Sequence, residues 1–177
     1  MSARSKARKR ALDVLFEAEI RSVPVLALLD ERTAAASPPV SPYAADLVQG
    51  VQEHRGQIDE LLATHAQGWT LDRMPAVDRN ILRIATFELL WQDDVPDPVV
   101  ISEAVQLARD LSTDGSPSFI NGLLARLLQL KPGLDLGHGA EPEALAGEAG
   151  AGPAEKLDAG AGLDAEVAVE LDAELEG

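Results

Sequence analysis

The chain has 177 residues, 15 Lys and Arg against 30 Asp and Glu, a formal net charge of −15, 46 % hydrophobic residues and no Cys. That size and apolar content suit one domain, or two small ones, with a sizeable core, and the missing Cys excludes a disulfide framework, a thiolate nucleophile and a cysteine-ligated zinc. No apolar run reaches the ~18 residues of a membrane span, and ALDVLFEAEI holds Asp13, Glu17 and Glu19, so a soluble cytoplasmic protein without a signal sequence is expected.

Charge is divided into blocks. Residues 1–10 form a basic arm with five bases and no acid, whereas residues 11–132 carry nine bases and eighteen acids. The arm leads into a helix over about Ser5–Ile20, with Ala7, Ala11, Val14, Leu15 and Ala18 as its apolar stripe and Lys6, Arg10, Asp13 and Glu17 opposite. A second helix is expected over Pro24–Ala35, with Pro24 in its first turn, followed by the loop ASPPVSP. Helical spacing then runs from Tyr43 to Ala66 with an interruption near Gly56, and GWTLDRMP reads as a turn or one short helix. Ala76–Trp91 is apolar nearly all round, with Arg79, Arg83 and Thr86 as a narrow polar stripe, which predicts a helix in the middle of a bundle. Asp97 reads as the N-cap of a helix to about Leu111, and Ser116 as the cap of a last one ending at Leu130. About seven helices joined by short loops predict an all-α domain over residues 5–132, closed by Lys131-Pro132-Gly133. Residues 133–177 hold nine of the fourteen Gly, no aromatic residue, one base and twelve acids, and read as a disordered acidic tail.

Phosphate-binding loops, dinucleotide fingerprints and the G-x-S-x-G elbow are all missing, and His54, His65 and His138 show no ligand spacing. No catalytic residue, metal or cofactor is expected. Asp93, Asp94 and Asp97 read as a solvated turn rather than a cation site.

The arm is the informative oddity. Arg4, Lys6, Arg8, Lys9 and Arg10 crowd the positive end of the first helix, where each cation costs about 0.3–1 kcal/mol, and the phosphates of a nucleic acid would relieve that cost. Phe16 projects toward the Lys9 edge, and reads equally as a base-stacking face or as a core-edge aromatic. Glu88 falls inside the apolar arc of its helix, so it requires a hydrogen-bonding or ionic partner, such as an Arg of another helix.

KARKRALDVLFEAE, YAADLVQGV, WTLDRMPAVDRNILRIATFELL, DVPDPVVISEAVQLARDLS and SPSFINGLLARLL, in that order over Arg4–Leu128, resemble the NusB family of transcription antitermination factors. The resemblance implies an all-helical protein of two packed helical subdomains. It further implies binding of boxA-type single-stranded leader RNA together with the NusE ribosomal protein, in a complex with other Nus factors on elongating RNA polymerase that supports ribosomal RNA transcription. The family's arginine-rich motif maps onto Arg4, Lys6, Arg8, Lys9 and Arg10, and its RNA-contacting aromatics onto Phe16 and Phe119. Lysine at two of these positions departs from bidentate phosphate recognition. Phe119 reads alternatively as a first-turn core residue. Partner contacts carry over to an exposed edge around Asp78 and Arg79. Monomer and homodimer both stay open. The competing class is a helical protein-interaction module whose basic arm binds an acidic protein. The acidic tail has no counterpart in the family pattern and reads either as a competitor of RNA for the arm or as a solubilising appendage.

Overall fold

The structure is a computed structural model, and it describes residues 2–66, 68–134 and 136. The expected acidic tail lies outside the described residues, apart from its first positions. Among the described residues there are seven α-helices: α1 (Ala3–Arg21), α2 (Val25–Ala35), α3 (Pro42–Glu53), α4 (Arg55–His65), α5 (Ala76–Trp91), α6 (Asp97–Leu111) and α7 (Ser116–Leu130). Two 3-10 turns, Leu71–Arg73 and Lys131–Gly133, complete the set, and there is no strand among the described residues.

α5 is the axis. Every residue from Asn80 to Leu90 is buried, and the helix packs against α1, α3, α4, α6 and α7. Helices α1, α2 and α3 pack on one another, while α6 lies along α7, so α5 joins the two groups. The stripe Ala7, Ala11, Val14, Leu15 and Ala18 of α1 is buried in the core, as its spacing requires. The polar stripe expected on α5 is not solvated: Arg83 and Thr86 are buried and Arg79 is half-buried. An all-round apolar helix has no outer face, so its cations must be neutralised internally. Arg83 Nε donates to Asp59 of α4 at 2.7 Å, and its Nη1 donates to Glu19 of α1 at 3.1 Å.

The break between α3 and α4 falls at His54 rather than near Gly56. Close packing explains the position. A Cβ on Gly50 would lie 1.9 Å from Cζ of Phe87, so glycine lets α3 approach α5, and His54 then stacks on Trp91 with ring centroids 4.3 Å apart. The chain is thereby held against α5 up to His54, where α3 ends and α4 begins. Helix starts differ from the sequence reading by one or two residues: α1 begins at Ala3 rather than Ser5, Pro24 precedes α2, Asp97 is the first residue of α6, and Gly115 occupies the cap position before Ser116. Beyond Pro132, Leu134 and Leu136 still pack on the core cluster, so apolar contacts continue past the expected close.

Candidate nucleic-acid interface

α1 carries the arm as regular helix from Ala3, its N-terminus capped by the Ser2 hydroxyl, which accepts from the Ser5 N–H at 3.0 Å. The five cations separate into distinct environments. Lys6 is exposed and has no hydrogen-bond or ionic partner among the described residues. Lys9 meets Asp13 one turn on at 3.1 Å, and Arg4 meets Asp94 at 3.1 Å across the α5–α6 loop, both as exposed pairs of small energetic weight. Arg10 is half-buried and donates from Nη2 to the Pro38 carbonyl at 3.0 Å.

Arg8 is the correction. It is 2 % exposed, and its guanidinium lies against Glu88 of α5, donating from Nη2 at 2.7 Å and from Nε at 2.8 Å. Glu103 of α6 stands 3.6 Å from Nη1, and the Tyr43 hydroxyl of α3 donates to the same Glu88 carboxylate. Helical spacing places Arg8 one residue from the Ala7–Ala11 stripe, close enough for a long side chain to turn inward. Burial works against the Arg8 charge, but the hydrogen bonds and negative charge of Glu88 outweigh it and hold the guanidinium above its ordinary pKa. Burial, together with the Glu88 carboxylate, likewise pushes the Tyr43 phenol well up. Arg8 is therefore the partner that Glu88 requires, and it has no face left for a phosphate.

Phe16 is 37 % exposed and shares the α1 face of Lys9, seven residues away, so the aromatic does adjoin the basic edge. Phe119, in the first turn of α7, is half-buried against Trp69, with ring centroids 6.1 Å apart. It reaches both the core and the surface.

Asp78 and Arg79 do not form an exposed edge. Asp78 is 3 % exposed and accepts from the Ser116 hydroxyl at 2.6 Å, tying the start of α5 to the start of α7. Arg79 is half-buried, paired with Glu19 and donating to the Met74 carbonyl at 3.1 Å. One oxygen of a carboxylate at the first turn of one helix accepts from a hydroxyl that opens another, and no single-helix projection contains that geometry. Trp69, Tyr43 and Glu103 were absent from the sequence-derived site for the same reason: each acquires its role from a helix distant in sequence.

Among the described residues no cluster of His, Asp and Glu is arranged to hold a metal, and no helix is long and apolar enough to cross a membrane. Asp94 and Asp97 are instead engaged with Arg4 and with Lys131.

The model of the NusB family matches residues 5–129. The chain belongs to the NusB family. A relative from Thermobifida fusca called transcription antitermination protein NusB is 58 % identical over 134 residues, covering 76 % of this chain and 94 % of that one. The structure of T. maritima NusB superimposes with a TM-score of 0.65 at 32 % identity, over 72 % of this chain and 92 % of that one. A structure of antitermination factors NusB and NusE in complex with dsRNA gives a TM-score of 0.63 at 26 % identity, over 71 % and 96 %. The NusB fold is the all-helical bundle described above, and this NusB-family chain is a transcription antitermination factor, not an enzyme. The NusB match ends before the acidic residues from 133 onward.

Proposed function

We propose that this protein binds boxA-type single-stranded leader RNA through the exposed edge of α1, jointly with the NusE ribosomal protein, in the cytoplasm. The complex acts on elongating RNA polymerase with other Nus factors to support ribosomal RNA transcription. The observation that carries the reading is the edge itself. Arg4, Lys6, Lys9 and Arg10 line one helix start at the surface or half-buried, while Arg8 is committed to Glu88. Arg21, Arg73, Arg109 and Arg126 are exposed elsewhere, but this edge gathers four cations within seven residues with no acid between them, next to Phe16, which suits a backbone of phosphates and a stacked base. The solved NusB–NusE complex with dsRNA supports the choice of RNA and of NusE as partners.

The RNA-contacting set is accordingly Arg4, Lys6, Lys9, Arg10, Phe16 and Phe119, without Arg8. Lys6→Ala combined with Lys9→Ala is expected to weaken RNA binding several-fold with the melting temperature kept, because neither side chain is buried. Unchanged affinity in that double variant overturns the reading. A scrambled RNA of equal length bound as tightly as a boxA-like RNA would favour the alternative, a module whose arm engages an acidic protein. Light scattering with and without RNA distinguishes a monomer from a homodimer.

A further inference from the structure

Tyr43 stands in the first turn of α3, and its ring meets the start of α1. The guanidinium carbon of Arg4 lies over this ring, 5.2 Å from its centroid, and that of Arg8 lies 5.8 Å from it. The ring is half-buried and packs on the core cluster, while its hydroxyl donates to the buried Glu88 carboxylate. Arg4 itself is an exposed residue of the arm. Its Nη1 donates to the Asp94 carbonyl and its Nη2 to the Asp94 carboxylate, each at 3.1 Å.

The two contacts of Arg4 differ in kind. Asp94 takes N–H donors, through a pair whose side chains are 47 % and 67 % exposed and whose energetic weight is therefore small. A phosphate, with its own negative charge and acceptor oxygens, can replace it. Tyr43 attracts the charge of the guanidinium through its ring and uses none of the donors, so it need not leave when a phosphate arrives. A long side chain loses rotamer freedom when it is fixed on a ligand, and a ring that already holds it reduces that loss.

We propose that Tyr43 is a positioning residue of the RNA edge, holding the Arg4 guanidinium in place while its N–H donors pass from Asp94 to an RNA phosphate. The proposal rests on the RNA reading above and extends it to α3, a helix that contains no Lys or Arg. Tyr43 acts through Arg4, and the part that acts is the ring.

The test separates the ring from the hydroxyl in the full chain. Anisotropy of a labelled single-stranded boxA-like RNA reads affinity of the folded protein at several salt concentrations, and denaturant unfolding reads stability. Tyr43→Phe removes the donor to Glu88 but keeps the ring, and is expected to lower stability with RNA affinity kept. Tyr43→Leu removes the ring as well. It is expected to weaken RNA binding about two- to fivefold and to make the slope of log K against log salt shallower by up to ~0.7, one phosphate contact. In an Arg4→Ala background the same Tyr43→Leu change is expected to cost no further affinity. Pentafluorophenylalanine in place of Tyr43 keeps the shape of the ring and reverses its quadrupole, so it carries the test if Tyr43→Leu does not fold. It is expected to bind RNA about two- to fivefold more weakly than Tyr43→Phe. Equal affinity of those two proteins, or a Tyr43→Leu loss that persists in full without Arg4, overturns the positioning role. If Arg4→Ala binds as tightly as the native chain while the Lys6→Ala, Lys9→Ala variant does not, only the role of Tyr43 and Arg4 falls. If both bind as tightly, the RNA reading falls with it.

Discussion

Arg8 and Glu88 show how one residue's role is reassigned by burial. The pair is 2 % and 1 % exposed, and removing either member strands the other as an uncompensated charge. Arg8→Ala is therefore expected to lower stability by about 3–5 kcal/mol, read by denaturant unfolding. Glu88→Gln should destabilise in the same direction, and neither change should alter RNA affinity once the folded fraction is accounted for. A stable Arg8→Ala protein with weakened RNA binding would return Arg8 to the interface. Gly50 is the opposite case, a residue whose lack of a side chain matters. Gly50→Ala drives a Cβ into the Phe87 ring, so a loss of about 1–3 kcal/mol is expected, partly recovered by adding Phe87→Leu. Melting curves of the single and double variants check both statements.

At the scale of helices, acidic side chains do much of the joining. Glu17 of α1 is held by Arg32 of α2, with the Arg21 side chain at 2.8 Å. Glu19 of α1 accepts from Arg79 and Arg83 of α5, and Asp59 of α4 accepts from Arg83. Hydrogen bonds from Arg32 and Arg21 lower the Glu17 carboxyl to about 2. For Glu19 and Asp59 burial opposes ionisation, but the hydrogen bonds and charges of their arginine partners prevail and both sit below the ordinary carboxylate range. A depressed folded-state pKa contributes stability that is present above the unfolded value and lost as pH falls through the folded one. The melting temperature is thus expected to hold from neutral pH down to about 5 and to drop between about 4.5 and 2. Glu17→Gln should flatten part of that drop. A flat profile across this window would mean that the bridges between helices carry no stability.

For the whole molecule, the number of cations facing outward sets how binding responds to salt. Four arm cations remain once Arg8 is excluded, so with ~0.7 per single-strand phosphate contact the slope of log K against log salt should be no steeper than about −2.8. A steeper slope requires further contacts, whether from another cation of this chain or from NusE. The acidic segment allows a second test at this scale. Because Leu134 and Leu136 pack on the core, truncation belongs after residue 139 rather than at Pro132. Residues 140–177 carry eleven acids and one base. If they compete with RNA for the arm, removing them tightens RNA binding at low salt, with a gain that fades as screening shortens to ~8 Å near physiological salt. Equal affinity of the two chains at low ionic strength identifies a solubilising segment.

By itself, the sequence determined whatever depends on local spacing. The 3.6-residue recurrence of apolar positions placed the helical segments to within about two residues, with the Tyr43–Ala66 stretch breaking at His54 instead of near Gly56, because periodicity and proline or glycine breaks act over a few positions. The all-round apolar face of Ala76–Trp91 marked the central helix, and Glu88 inside that face announced a buried partner. Tertiary structure decided which partner. Arg8 sits 80 residues away from Glu88, and Ser116 sits 38 away from Asp78, so neither pairing leaves a trace in local spacing. The break at His54 depended likewise on Phe87 and Trp91 of another helix. A run of like charges specifies a basic helix start. Which of those charges turn inward is set by the carboxylates that folding brings beneath them, since a buried ion is tolerated only where another chain segment neutralises it.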